Sequence, residues 1–385
     1  MTNLIAYNTN DLNALLITEK AQIWYNRGWL SPELWTEIKA NYTINFYSPN
    51  IFMRIGGFVF SIILMMAFLG ILALFTGGNI DKSLPVLAVF IGSASIAFLE
   101  FIIKSKHYKS GIDDALLYGG SCLIVGGLTE LLDLNPSELP FYCLFLPFLM
   151  IAAMRYVDNL MTFVAYIFSL VIIILTTFKF PSIAPLFLSF VVMLFALIIY
   201  LATIKMQQNK ALMYWQTNLN TIEALSLITF YASGNYFILQ KVNATYFNNP
   251  IVAMPYVFWF FTFTIPLFYI YKGLKDKNRL LLSIGLLAIA AGVATFRYYF
   301  HVMPMEIAAI IGGVVLLSIA YFSIRYLKNN KTPFTYDEAE GDKPFYQHAE
   351  SLIIAQTFGN QQTQEGEKPL FGGGDFGGGG GGSTF

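Results

Sequence analysis

The chain has 385 residues, of which 56% are hydrophobic, 17% aromatic and only 12% charged. Soluble domains carry about 25% charged residues, so an ordinary soluble enzyme is excluded, and the aromatic content excludes a chain that is disordered throughout. The 23 Lys and Arg balance 23 Asp and Glu, which leaves no electrostatic footprint for nucleic acid; the expected class is an all-α, polytopic helical membrane protein.

Residues 1–50 are polar and mixed in charge, with no apolar run behind a basic start, so targeting is expected to fall to the first membrane segment. Leu12, Leu15, Leu16 and Ile23 share one side of a helix near 10–26, which Gly28 ends as a C-cap. Ser31-Pro32-Glu33 starts a second helix as N-cap, first helical proline and first-turn acid. Its apolar face is Leu34, Trp35, Ile38 and Tyr42. Residues 1–50 therefore read as a cytoplasmic helical hairpin, too small for its own core. It is expected to cap the membrane domain, lie on the inner leaflet, or dock a partner.

The segment Asn26-Arg27-Gly28-Trp29-Leu30-Ser31-Pro32-Glu33, and Asp114-Ala115-Leu116-Leu117-Tyr118-Gly119-Gly120 in the third span, resemble a bacterial family of membrane proteins of unknown function. Members of that family carry a cytosolic helical hairpin ahead of eight to ten helices. The resemblance covers about the first third of the chain. It implies an architecture and a bacterial inner membrane, and it carries no catalytic residues.

Ten runs are apolar enough to span a bilayer: 55–75, 84–103, 112–132, 139–154, 160–178, 183–204, 221–239, 251–271, 280–299 and 305–325. The fourth is short and the seventh weakly apolar. With the N-terminus inside, 19 of the 23 Lys and Arg fall on inner segments, and Lys82, Lys179, Lys241 and Arg297 on outer ones. This agrees with the positive-inside rule and predicts both termini in the cytoplasm, a membrane domain over 51–327 and a cytoplasmic tail over 328–385.

Small residues recur at Gly119 with Gly126, Gly120 with Gly127, Gly285 with Gly292, and Ala308 and Ala309 with Gly312 and Gly313. Small residues let helices approach in lipid, so the third, ninth and tenth spans are expected to form one tight core. Glu100, Asp113 and Asp114 read as interfacial acids near Lys104, Lys106 and Lys109. Glu130, Arg297 and Glu306 lie near the outer ends of those spans. If the small faces meet, the three converge as a charged cluster in an outer vestibule. The seventh span carries Glu223, Ser226, Thr229 and Ser233 along one side, then Gly234-Asn235. Its alternatives are a broken, polar span of the transporter type or an ordinary kink.

Cys122 and Cys143 lie in apolar stretches and read as small packing residues. His107, His301 and His348 are scattered, so no metal or cofactor is expected, and no catalytic motif points to an enzyme. The tail ends in Phe371-Gly-Gly-Gly-Asp375-Phe376, a glycine run and Phe385. This low-complexity end reads as disordered, with its phenylalanines as a candidate docking motif. The expected function is a non-catalytic inner-membrane protein that acts through protein partners on its hairpin and tail, with membrane lipids around it. The alternative is a transporter of a small molecule, lipid or ion.

Overall fold

The computed structural model describes residues 4–47, 49–75, 80–180, 184–249 and 251–300, with single helical positions at 314, 318, 321 and 325. Glu306, most of the tenth predicted span and the phenylalanine-bearing tail (Phe371, Phe376, Phe385) lie outside the described residues. Among the described residues the chain is helical, with no strand beyond one isolated pairing of Tyr47 with His107.

The hairpin forms as its residues dictate. Helix α1 spans Thr9–Asn26, Gly28 follows at φ +71°, and Ser31 caps α2, Pro32–Asn41, by accepting from the Leu34 amide at 3.3 Å. The long helices follow: α3 Ile51–Leu74, α4 Ile80–Lys104, α5 Ile112–Leu131, α6 Leu139–Tyr156, α7 Asn159–Phe178 and α8 Ala184–Gln207. After a 3-10 turn at Lys210–Trp215 come α9 Gln216–Gly234, α10 Tyr236–Tyr246, α11 Pro255–Lys275 and α12 Arg279–Tyr299. Side-chain caps open several of them, from Asn50 to the Met53 amide, Asp158 to Met161 and Asn278 to Leu281.

Seven of these helices, α3, α4, α6, α7, α8, α11 and α12, are long and apolar enough to cross a membrane; the bent pair α9–α10 makes eight. The protein is a multi-pass helical membrane protein. Helix α5 carries three acids and four glycines, which lowers its apolarity, yet it packs centrally. The hairpin and the start of α3 mark one end of the bundle, the hairpin side; the other end is the far side.

Two groups of helices carry the packing. In the first, α4 and α5 make the closest pair, and α3 and the α6–α7 pair pack around one core with Tyr7 and Leu12 of the hairpin segment. In the second, α8, α9, α11 and α12 close on Tyr200, Leu227, Tyr231, Ile265 and Tyr269. Helix α7 joins them by packing on α8 and α9.

Among the described residues, the stripes of the third and ninth spans do not form the shared core expected from sequence; the tenth-span stripe lies outside them. A Cβ on Gly92 would lie 2.6 Å from the Gly120 carbonyl, so these glycines bring α4 against α5. Gly285 sits against Tyr269 and Ile270, bringing α12 against α11. Gly120, Gly127 and Gly285 serve the neighbour in sequence, which a short loop holds alongside, whereas Gly119 packs on Met65 and Ile62 of α3. The two cysteines are also placed differently from expectation: both are free and exposed on the helix surfaces.

Candidate functional site: a polar cleft at the hairpin side

The hairpin-side ends of α3 to α7 enclose a cavity of about 260 Å³. The loop before α5 shapes its floor. Tyr47 donates its amide to the Lys106 carbonyl at 2.8 Å, and Tyr108 donates back to Tyr47 at 3.2 Å. The chain then turns through Lys109 (φ +49°) and Gly111 (φ +90°). At Gly111 a Cβ would run into the Arg54 carbonyl, so this turn requires glycine.

Three carboxylates line the cavity: Asp113, Asp114 and Asp158. Arg54 binds Asp114 through Nη2 at 2.6 Å and Nε at 3.2 Å. Asp113 is buried, 3% exposed, and its Oδ1 accepts from the Ser110 amide (2.8 Å), the Gly111 amide (3.0 Å) and the Ser110 hydroxyl (3.0 Å). Its Oδ2 is buried with no hydrogen-bond partner among the described residues. Asp158 accepts from the Met161 amide as the cap of α7 and from the Tyr118 hydroxyl at 2.7 Å. Tyr7, Tyr108, Tyr118 and Tyr156 complete the wall, with Lys109 at the rim, its ammonium 5.4 Å from the Tyr108 ring centre.

The expected pairing of Asp113 and Asp114 with Lys104, Lys106 and Lys109 is corrected by this geometry. Arg54 takes Asp114, and backbone and hydroxyl donors of the 110–111 turn take one oxygen of Asp113. Glu100 is also held by an arginine rather than by lysines. Arg155 grips it at 2.6 and 2.9 Å, and Tyr156 donates to it at 2.9 Å. A planar guanidinium fits a carboxylate in two contacts, which an ammonium cannot match.

The N-terminal segment closes one side of the cleft. Ala6 donates its amide to the Arg155 carbonyl at 2.9 Å, and Tyr7 packs edge-on to Tyr108 with ring centres 5.1 Å apart. Burial, with Asp113 nearby, pushes the Tyr7 phenol above its ordinary pKa and keeps it a hydroxyl. Val157, between α6 and α7, also borders the cavity and sits in the left-handed region at φ +50°, an outlier for a β-branched residue.

The sequence candidates are placed elsewhere. Glu130 is exposed on α5, which packs on α4 and α3, whereas Arg297 is on α12, which packs on α11 and α9. Helices α5 and α12 are not among the closely packed pairs, and Glu306, the third member of the expected outer cluster, lies outside the described residues. Glu223 is 3% exposed and accepts from Gln207 at 2.8 Å and Asn278 at 2.9 Å, tying the hairpin-side ends of α8, α9 and α12 together. Ser226 donates to the Glu223 carbonyl, and the Thr229 carbonyl accepts from Ser233.

Helix α9 does break at Gly234–Asn235, with a bend of 74° into α10. Asn235 donates to the Tyr231 hydroxyl (3.0 Å) and to Thr295 (3.1 Å), and its Oδ1 caps α10 at the Phe237 and Ile238 amides. Since α9 has 19 residues, it is about 28 Å long, nearly the hydrocarbon thickness. The break lies near the far side rather than at mid-depth. Glu223 and Asn235, twelve residues apart, are separated by about 18 Å along the axis, so they do not share a site.

A second cavity of about 270 Å³ lies among α8, α9, α11 and α12. Its walls are Leu197, Phe230, Phe260, Phe261, Ile265 and Phe268, with Lys272 at one end. Among the described residues no three His, Cys, Asp or Glu side chains come together to hold a metal ion.

Sequence reasoning did not single out the Arg54, Tyr118 and Asp158 constellation. The signal was membrane height: Arg54 opens the first span, Asp114 the third, and Asp158 lies in the turn before the fifth. No family model, curated protein or solved structure matches this chain. The functional reading rests on the chemistry of its own residues.

Proposed function

We propose that the chain is a non-catalytic bacterial inner-membrane protein, crossing the bilayer ten times with both termini in the cytoplasm. It acts through a protein partner that binds the cytoplasmic hairpin and the tail. The distribution of Lys and Arg supports the orientation. The observation that carries the partner reading is that no side chain of α2 is fully buried, only Trp35, stacked on Tyr25, and Ile38 being half-buried. Helix α1 is fastened down: it buries Leu12, Ala14 and Ala21, and Asn13 accepts from the Tyr214 hydroxyl at 2.8 Å. Beside it Trp29 is 56% exposed and Leu34 51%. Three of the five tryptophans, Trp24, Trp29 and Trp35, sit in this hairpin. Aromatic anchors around an open apolar face are what a partner's central contacts use.

The test is a photo-crosslinking residue at Trp29 or Leu34 of the full chain in its native membrane. A single discrete protein adduct from both positions, absent when the probe replaces Glu130, supports the reading. Adducts to lipid alone refute it. The second reading, a transporter, draws on the break between α9 and α10, because discontinuous helices mark solute paths in transporters. Solute uptake into vesicles that is lost in Asn235→Leu, with the protein still folded, would favour it.

A further inference from the structure

We propose that the hairpin-side cleft binds a small primary amine in its ammonium form, carrying one positive charge. This stands apart from the partner reading and does not depend on it.

Charge sets the sign and size. Three carboxylates, Asp113, Asp114 and Asp158, face two cations, Arg54 and Lys109, across the same cavity. Arg54 and Asp114 neutralise each other at 2.6 Å. Among the described residues neither Asp113 nor Asp158 is in an ion pair. The cleft is therefore one positive charge short.

Asp113 supplies the second observation. It is 97% buried, its Oδ1 is taken by three donors from the 110–111 turn, and its Oδ2 has none. A buried carboxylate oxygen without a donor is costly, and an N–H from a ligand is the group that completes it. The walls fit the same chemistry. Tyrosine faces attract ammonium groups, and the cleft already shows this contact, with the Lys109 ammonium over Tyr108.

Shape narrows the class further. The carboxylates do not converge as metal ligands do, so a ligand that reaches several of them with N–H donors fits better than a bare ion. About 260 Å³ is below the range that takes drug-sized ligands, which limits the occupant to a few heavy atoms. Tyr7 joins the ligand to the hairpin. It lies between Ala6, pinned to Arg155, and Asn8, the cap of α1. An occupant that contacts Tyr7 also restrains α1.

The experiment is calorimetric titration of the full chain in mild detergent near neutral pH, with ethanolammonium and propylammonium chloride as probes. Tetramethylammonium chloride, sodium chloride and sodium propionate are compared at matched ionic strength. The expected result is saturable binding of both primary amines at one site, at least tenfold weaker for tetramethylammonium and none for sodium or propionate. Asp113→Asn should weaken the amines at least tenfold. If that variant loses its fold, Lys109→Glu on the exposed rim is read instead, and it should tighten binding severalfold. The proposal is overturned if neither amine binds, if sodium chloride gives the same response, or if affinity is unchanged in the variant that is read.

Discussion

Two cavities of nearly equal size, about 260 and 270 Å³, sit in the two halves of the bundle and are built of opposite materials. The cleft of the first half gathers carboxylates, guanidinium, ammonium and phenols at the helix ends. The cavity of the second half presents mostly rings and aliphatic chains, and two of its hydroxyls are turned onto backbone: Ser226 donates to the Glu223 carbonyl and Tyr269 to the Leu227 carbonyl at 2.9 Å. Depth explains the difference. Ionised groups are tolerated where water reaches the ends of spans, and the polar groups deeper in the bundle are neutral. The first half therefore offers charge to a ligand, while the second uses polarity to hold helices together.

The largest effect tests the packing of the first half. Gly92→Leu drives a side chain into the Gly120 carbonyl and Ile124 and should cost about 3 kcal/mol. Gly126→Leu, on the same helix as Gly120 but with open space around it, should stay within about 0.5 kcal/mol of the parent. Thermal unfolding of the purified variants measures both, and equal losses would contradict the glycine-mediated α4–α5 contact.

In the second half, Asn235→Ala removes two donated bonds and the cap of α10, for an expected loss of about 2–3 kcal/mol. In the first half, Arg155→Ala frees Glu100, but the side chains are 37% and 26% exposed, so water softens the loss to about 1–2 kcal/mol. If the arginine proves the larger of the two, the contrast between a charged rim and a neutral interior fails.

The Tyr7 phenol gives a pH-dependent test. Its pKa is raised in the folded state above the ordinary 10.0. Its contribution is therefore complete below pH 10 and is lost as pH rises beyond it. Stability above pH 10 should fall by up to about 1.4 kcal/mol per pH unit from this group, and Tyr7→Phe should flatten that slope in denaturation measured from pH 9 to 11. At the small end, Trp29→Ala with Leu34→Ala should change stability by less than about 0.5 kcal/mol each, because both side chains are more than half exposed.

Much of the fold is legible in the sequence, since hydropathy marks the long helices and Ser31-Pro32-Glu33 marks where α2 begins. Gly234-Asn235 leaves a broken span and an ordinary kink both open in the sequence, and the 74° bend settles it as a break. The partners are not legible. A stripe of glycines says that something comes close, not which helix: Gly120 and Gly285 meet the neighbour in sequence, while Gly119 meets α3. The same limit hid the cleft: Arg54 meets Asp114 sixty residues away, and Tyr118 meets Asp158 across forty. Only shared membrane height linked these residues in advance. The outer cluster shows the same limit: Glu130 and Arg297 share a height, but their helices α5 and α12 are not among the closely packed pairs, and Glu306 lies outside the described residues.

The most direct test asks which side of the membrane the hairpin and the cleft share. Single cysteines would replace Trp29, Lys109 and Glu130 in a chain whose Cys122 and Cys143 are serine, and an impermeant maleimide would be added to inside-out and right-side-out vesicles. The account predicts that positions 29 and 109 label only from the cytoplasmic face and position 130 only from the opposite one. Labelling of 29 and 109 from opposite faces, or of both from outside, would contradict it.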